Sequence, residues 1–142
     1  MRTFLLAVSL VVITLMPAQA HLGETLEQCI ARYGAPTGTT TDNDGNKTAD
    51  FLKDGVIVGI TFLNGKAAYE LYMKADASEL SATELKTLLE ADSDAKNTWS
   101  EYKNTDQLKS WNRTDNAFAA YAIPIHYLTV ETKEYIDLPK AK

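Results

Sequence analysis

Cysteine is almost absent from this sequence. The 142-residue chain has one, Cys29, so no disulfide can close within it and a bridge-stapled fold is excluded. Long apolar runs are lacking too. The longest, Phe4 to Met16, is broken by Ser9 and Thr14 and falls short of the roughly 20 residues a spanning helix needs. Basic residues are in deficit: 14 Lys and Arg stand against 19 Asp and Glu, a net charge of −5. With no basic patch, nucleic acid and an anionic membrane surface are disfavoured as partners. Catalytic signatures are missing as well. There is no Gly-x-Ser-x-Gly elbow, no glycine-rich phosphate loop, and no carboxylate pair that stands out.

What is present begins with the amino terminus. Arg2, the short apolar run, Pro17 and then Ala18-Gln19-Ala20 have the layout of a secretory signal peptide. Residues 1–20 are expected to be cleaved after Ala20, leaving residues 21–142 as a single α+β domain in the periplasm or secreted from a bacterial cell. Cys29 is preceded by Glu27 and Gln28, not by the small residues of a lipoprotein cut, so no lipid anchor is expected. Leu26, Cys29, Ile30 and Tyr33 fall on one helical stripe, which places the thiol in the core.

Local signals are strong along the body. Thr25 with Gln28, and Ser81 with Glu84, have the spacing of capping boxes. Gly34 and Pro36 stop the first helix, expected over about Leu26 to Tyr33. Asp54-Gly55 and Asn64-Gly65 are hairpin turns. They delimit a central strand from Val56 to Leu63, apolar on both faces. In the next strand Ala67, Tyr69, Leu71 and Met73 alternate with the more polar Lys66, Ala68, Glu70 and Tyr72, so the first set is expected to face inward. After the second helix a polar loop containing Trp99 and Tyr102 precedes strand-like runs at Leu108–Asn112, Ala117–Ile123 and Ile125–Thr132, with Pro124 interrupting the last connection. The pattern reads as one unit written twice, over about 21–76 and 77–138: a helix followed by a three-stranded antiparallel meander, the helices packed on one face of the sheet. The other face is expected to be open and rich in aromatics.

The stretch from Gly23 to Pro36 followed by Asp50 to Lys66 resembles the BamE/SmpA-OmlA type of small bacterial envelope protein, in which a Gly-x-Thr-started helix feeds an antiparallel meander. Gly23, Thr25, Gly34 and Pro36 carry the likeness. The doubled arrangement is similar to the β-lactamase-inhibitor architecture, which implies tandem α/β units presenting a concave sheet to a partner protein. The chain departs from the envelope family in lacking its lipid-bearing cysteine.

Two functional readings follow. In the first, the protein is a non-enzymatic adaptor that binds a protein or envelope component through an aromatic-rich sheet face. Trp99, Tyr102 and Trp111 are the candidate contacts, because rigid aromatics bury much area while keeping a polar handle; no cofactor is then needed. In the second, a mature amino-terminal His21 joins His126 in a copper site, imidazole being a suitable copper ligand. Asp42, Asp44, Asn46 and Asp50 bring oxygen ligands around Gly45, but the spacing is not that of an EF-hand, and a solvated turn is expected.

Overall fold

A computed structural model describes residues 21–140. The signal-peptide expectation falls on residues 1–20 and lies outside the described residues. In chain order the elements are α1 (Leu26–Tyr33), β1 (Gly38–Thr41), β2 (Lys47–Lys53), β3 (Val56–Leu63), β4 (Lys66–Lys74), α2 (Ala82–Ala91), β5 (Trp99–Asn104), β6 (Leu108–Arg113), β7 (Phe118–Ala122), a 3₁₀ turn (Ile123–Ile125), β8 (Tyr127–Glu131) and α3 (Lys133–Ile136).

Both capping boxes form. Thr25 and Ser81 each accept from the backbone three residues on, and the Gln28 and Glu84 side chains return the bond. This satisfies donors that a helix start otherwise leaves bare. At both hairpin turns the two central residues are left-handed, with φ of 51° and 77° at Asp54-Gly55 and again at Asn64-Gly65. That is the type I′ geometry that matches strand twist.

The eight strands form one antiparallel sheet in the order β1-β2-β3-β4-β8-β7-β6-β5. This overturns the expected pair of helix-plus-three-stranded units. The Trp99–Asn104 segment, read as loop, pairs with β6 as one edge strand, and Gly38–Thr41 pairs with β2 as the other. β4 and β8 pair along Tyr69–Met73 and Tyr127–Glu131, so the sheet is continuous. The reason is the composition of these two strands. Leu128, Val130 and Tyr72 are essentially inaccessible, and strands buried this deeply need a paired neighbour on each side to satisfy their backbone.

The register sorts the faces. One ladder row runs Phe51, Val58, Tyr72, Leu128, Tyr121, all buried. Tyr33 of α1 packs on Phe51 with ring centroids 5.3 Å apart, and the Tyr121 hydroxyl accepts from Leu80 N at the approach to α2 (3.0 Å). α1 and α2 therefore share this face, and the core lies between them and the sheet. α3 breaks the one-sided arrangement expected from sequence: its Tyr135 packs on Tyr69, 5.0 Å away, on the opposite face. Ala67 is in the core as expected, but from Tyr69 onward β4 is reversed from the reading of its alternation. Glu70 and Tyr72 point into the core, whereas Tyr69, Leu71 and Met73 lie half-buried on the far face. An acid points inward there because it has partners inside, described below.

Candidate functional site

The three aromatics singled out in the sequence do not meet on one surface. Trp111 shares a ladder row with Ala119 and Glu101, and Trp99 pairs with Arg113. Both indoles lie on the helix side and pack against the core cluster. Together with Leu85, Leu89, Lys86 and Glu90 of α2 they line a groove of about 520 Å³ between α2 and the β5–β6 margin. The Arg113 guanidinium sits over the Trp99 ring, 5.4 Å from its centroid. It donates to both Asp115 carboxylate oxygens (2.8 and 2.7 Å) and to the Asp92 carbonyl. The ring is thus clamped between an arginine and the end of α2, and its Nε1 is buried without a partner.

Tyr102 is elsewhere. A bulge between Glu101 and Lys103 shifts the β5 register. It turns Tyr102 to the far side, where it stands 68% exposed edge-on to Phe118 at 6.5 Å. A bulge re-aims side chains in this way because one residue has no counterpart on the neighbouring strand.

The far face has a definite relief. A row of small or short side chains crosses it: Gly59, Thr129, Ala120 and Ser110, with Leu71 among them. Flanking this row on one side are Ile57, Met73 and Tyr127; on the other are Tyr69, Glu131 and Phe118. The result is a shallow apolar trough running across the strands. Asp50 stands at its β2 end and Lys103 at its β5 end. A methyl group added at Gly59 would lie 3.1 Å from Asp50 Oδ1 and 3.9 Å from Leu71 Cβ, so glycine keeps the floor low. Burial holds the Tyr69 phenol up at about 12, with Glu131 adding to the effect, and burial also raises the Glu131 carboxyl. Water is already thinned around these groups. Phe118, Met73, Tyr69 and Tyr127 are the surface residues that the sequence-based site omitted. Their signal was the period-two spacing, assigned in β4 to the wrong side.

The two histidines are not brought together. His21 lies beside Leu22, Asp92 and Arg113, and neighbouring Gly23 donates to Ala67 at the start of β4 (2.8 Å). His126 Nδ1 donates to the carbonyl of Ala77 (2.9 Å), beyond the end of β4. A strand of nine residues separates them, about 30 Å at the usual rise. The two imidazoles thus stand toward opposite ends of β4. Among the described residues no group of three or more His, Cys, Asp or Glu side chains is placed to hold a metal. Asp42 is occupied with its own turn, accepting from Asp44 N, Asn46 N and Asn46 Nδ2. Cys29 is fully buried, and burial, with Glu24 next, pushes its thiol up to about 12, far from the range of a reactive thiolate. No described helix is long and apolar enough to cross a membrane.

No protein-family model matches the chain, and no curated protein matches it in sequence. Among solved structures it is similar to a cysteine-rich secretory protein from Staphylococcus aureus. The identity is 11% and the TM-score 0.46, over 80% of this chain and 45% of that one. The chain thus spans less than half of that structure's length.

Proposed function

We propose that this is an exported, non-enzymatic binding protein of the bacterial periplasm or exterior that docks a protein partner on the open sheet face. The observation that carries the reading is the trough itself. A floor of small residues lies between an aliphatic and aromatic wall and a second wall of Tyr69, Glu131 and Phe118, on a side that neither α1 nor α2 covers and that α3 meets only at Tyr69 through Tyr135. Such relief accepts a convex partner element. Burying Tyr127, Phe118, Tyr69 and Met73 against it supplies affinity without chemistry, and contiguous apolar surface of this kind marks interaction sites. Tyr102 sits at the rim as a further contact. Trp99 and Trp111, on the other side of the sheet, are not part of this surface. Export rests on the charge and hydropathy pattern of residues 1–20.

The test uses photo-crosslinking in the native envelope fraction, with a photoreactive residue at Met73 or, as the control, at Glu90 on α2. The expected result is a discrete adduct from Met73 alone, abolished by Ala120→Arg, which fills the trough. Single-face Tyr127→Ala should weaken the adduct at least about tenfold, the effect of about 1.4 kcal/mol at an interface anchor. Equal labelling from both positions, or an adduct indifferent to Ala120→Arg, removes the sheet face as the docking surface.

A further inference from the structure

An acid pair lies inside the core, used by neither surface. Glu70 is fully buried and Asp92, the residue that ends α2, is 5% exposed. Each has one oxygen provided for. Glu70 Oε2 accepts from the Tyr72 hydroxyl (2.7 Å), and Asp92 Oδ1 accepts from Leu22 N (2.7 Å). The other two oxygens, Glu70 Oε1 and Asp92 Oδ2, are buried and receive no donor from any other group. The two buried carboxyls are electrostatic neighbours, each acting on the other's ionisation. Two carboxylates so placed and so dry cannot both stay ionised. One proton between them satisfies both orphaned oxygens at once.

We infer that Glu70 and Asp92 hold one proton between them, and that this proton is a pH-sensitive latch fastening the end of α2 and the His21–Glu24 segment to the sheet. The surroundings give an ionised pair little relief. From the amino-terminal segment comes Glu24, a further negative charge already paired with Arg32. His21 beside Asp92 is held toward its neutral form, chiefly by burial and then by Arg32. From α1 come the un-ionised Cys29 thiol and the Tyr33 phenol. From β6 comes Arg113, a cation facing Asp92 that is already engaged by Asp115. Burial first, and Asp92 second, raises Glu70 well above the usual carboxylate range; burial lifts Asp92 to about 6.

Loss of the proton to solvent leaves two neighbouring negative charges. The relief available is outward movement of Asp92, which carries the last turn of α2 and its hold on Leu22 N. That turn supplies Leu89, Glu90 and Ser93 to the groove over Trp99 and Trp111. Alkaline opening would therefore bare the tryptophans. Because the chain contains two tryptophans and both line this groove, their fluorescence reads the latch directly.

The test measures acrylamide quenching of the signal-free chain between about pH 5 and about pH 9, spanning the range in which buried glutamates titrate. Quenching should rise with pH in the unaltered protein. In Glu70→Gln the rise should be lost, because the Gln amide donates permanently to Asp92 Oδ2 while its carbonyl accepts from Tyr72. Asp92→Asn makes the same replacement from the other side and serves if the first variant does not fold. Isotope-edited infrared spectroscopy should show a protonated carboxyl C=O band at neutral pH, absent from both variants. A flat quenching profile in the unaltered chain, a rise that survives either substitution, or no protonated-carboxyl band would each overturn the latch.

Discussion

The β4–β8 seam makes a sharp prediction. Leu128 is inaccessible and sits between Tyr72 and Tyr121 in the ladder. Leu128→Ala removes three buried carbons, worth about 0.8 kcal/mol each, or about 2.4 kcal/mol in transfer alone. Strands fixed on both sides cannot close the gap, so the cavity term brings the loss to about 4 kcal/mol, inside the span of measured Leu→Ala changes. Urea unfolding followed by far-UV circular dichroism and by tryptophan fluorescence separates two cases. Circular dichroism reports every strand; fluorescence reports Trp99 and Trp111, both beyond α2. If the sheet unfolds as one unit, the two curves coincide and move together by about 2 M urea, taking a slope of about 2 kcal/mol per M. Val130→Ala, which removes two carbons from an equally buried seam position, should shift both curves by less. Curves that separate, with fluorescence lost first and half of the dichroism retained, would refute a single cooperative sheet.

The remaining predictions concern local devices. Ser81→Ala removes the side-chain half of the α2 capping box and should cost about 1 kcal/mol in the same denaturation assay. Gly65→Ala places a side chain at φ 77° in the β3–β4 turn, with an expected cost of about 1–2 kcal/mol. Cys29 should not react with a disulfide reagent in the native protein at mildly alkaline pH, and should label at the unfolding rate once urea is added; rapid native labelling would contradict its burial. Arg113 depresses the Asp115 carboxyl below its usual 3.8 by a direct hydrogen bond. A depressed carboxylate contributes stability above its unfolded value and loses it as pH falls through the folded one. Asp115→Asn should therefore flatten the acid limb of the stability profile, while Glu70→Gln should flatten the alkaline one.

Sequence reasoning succeeded where structure is local. Helix α1, both capping boxes and both type I′ turns follow from residues no more than a few positions apart. It failed at β1 and β5 because an edge strand with exposed side chains on both faces, such as Gly38–Thr41, has no alternation to read. It failed at β4 because the inward acid meets its partners inside the fold, the Tyr72 hydroxyl and, from beyond the end of α2, Asp92, with burial and then Asp92 raising its carboxyl. Alternation alone then assigns Glu70 to solvent, and with it the strand from Tyr69 to Met73 turns over, while Ala67, before the register shift opposite Thr61 and Phe62, stays in the core. The same error concealed Tyr69 and Met73, half of the aromatic and aliphatic residues of the proposed docking face. Tyr102 was separated from Trp99 and Trp111 by a one-residue bulge, which composition does not announce.

The sheet's edges bear on how a partner would bind. Among the described residues β1 and β5 are the outer strands with no further strand beside them, the usual template for adding one. β1 has only four residues, and β5 is interrupted by its bulge and carries Glu101 and Lys103, devices that discourage edge pairing. Contact through the trough would then depend on side chains and shape, not on main-chain ladders. Asp50 and Lys103, of opposite sign, stand at the ends of the trough, Glu131 interrupts one wall with a carboxyl raised by burial, and the floor is uncharged. Steering by charge is accordingly weak, since exposed pairs separated by more than about 10 Å are screened at ordinary ionic strength. Crosslinking from Met73 should change little when salt is raised from low to well above physiological levels. A steep fall with salt would place the partner's grip on the acidic periphery instead, and the apolar trough would no longer explain recognition.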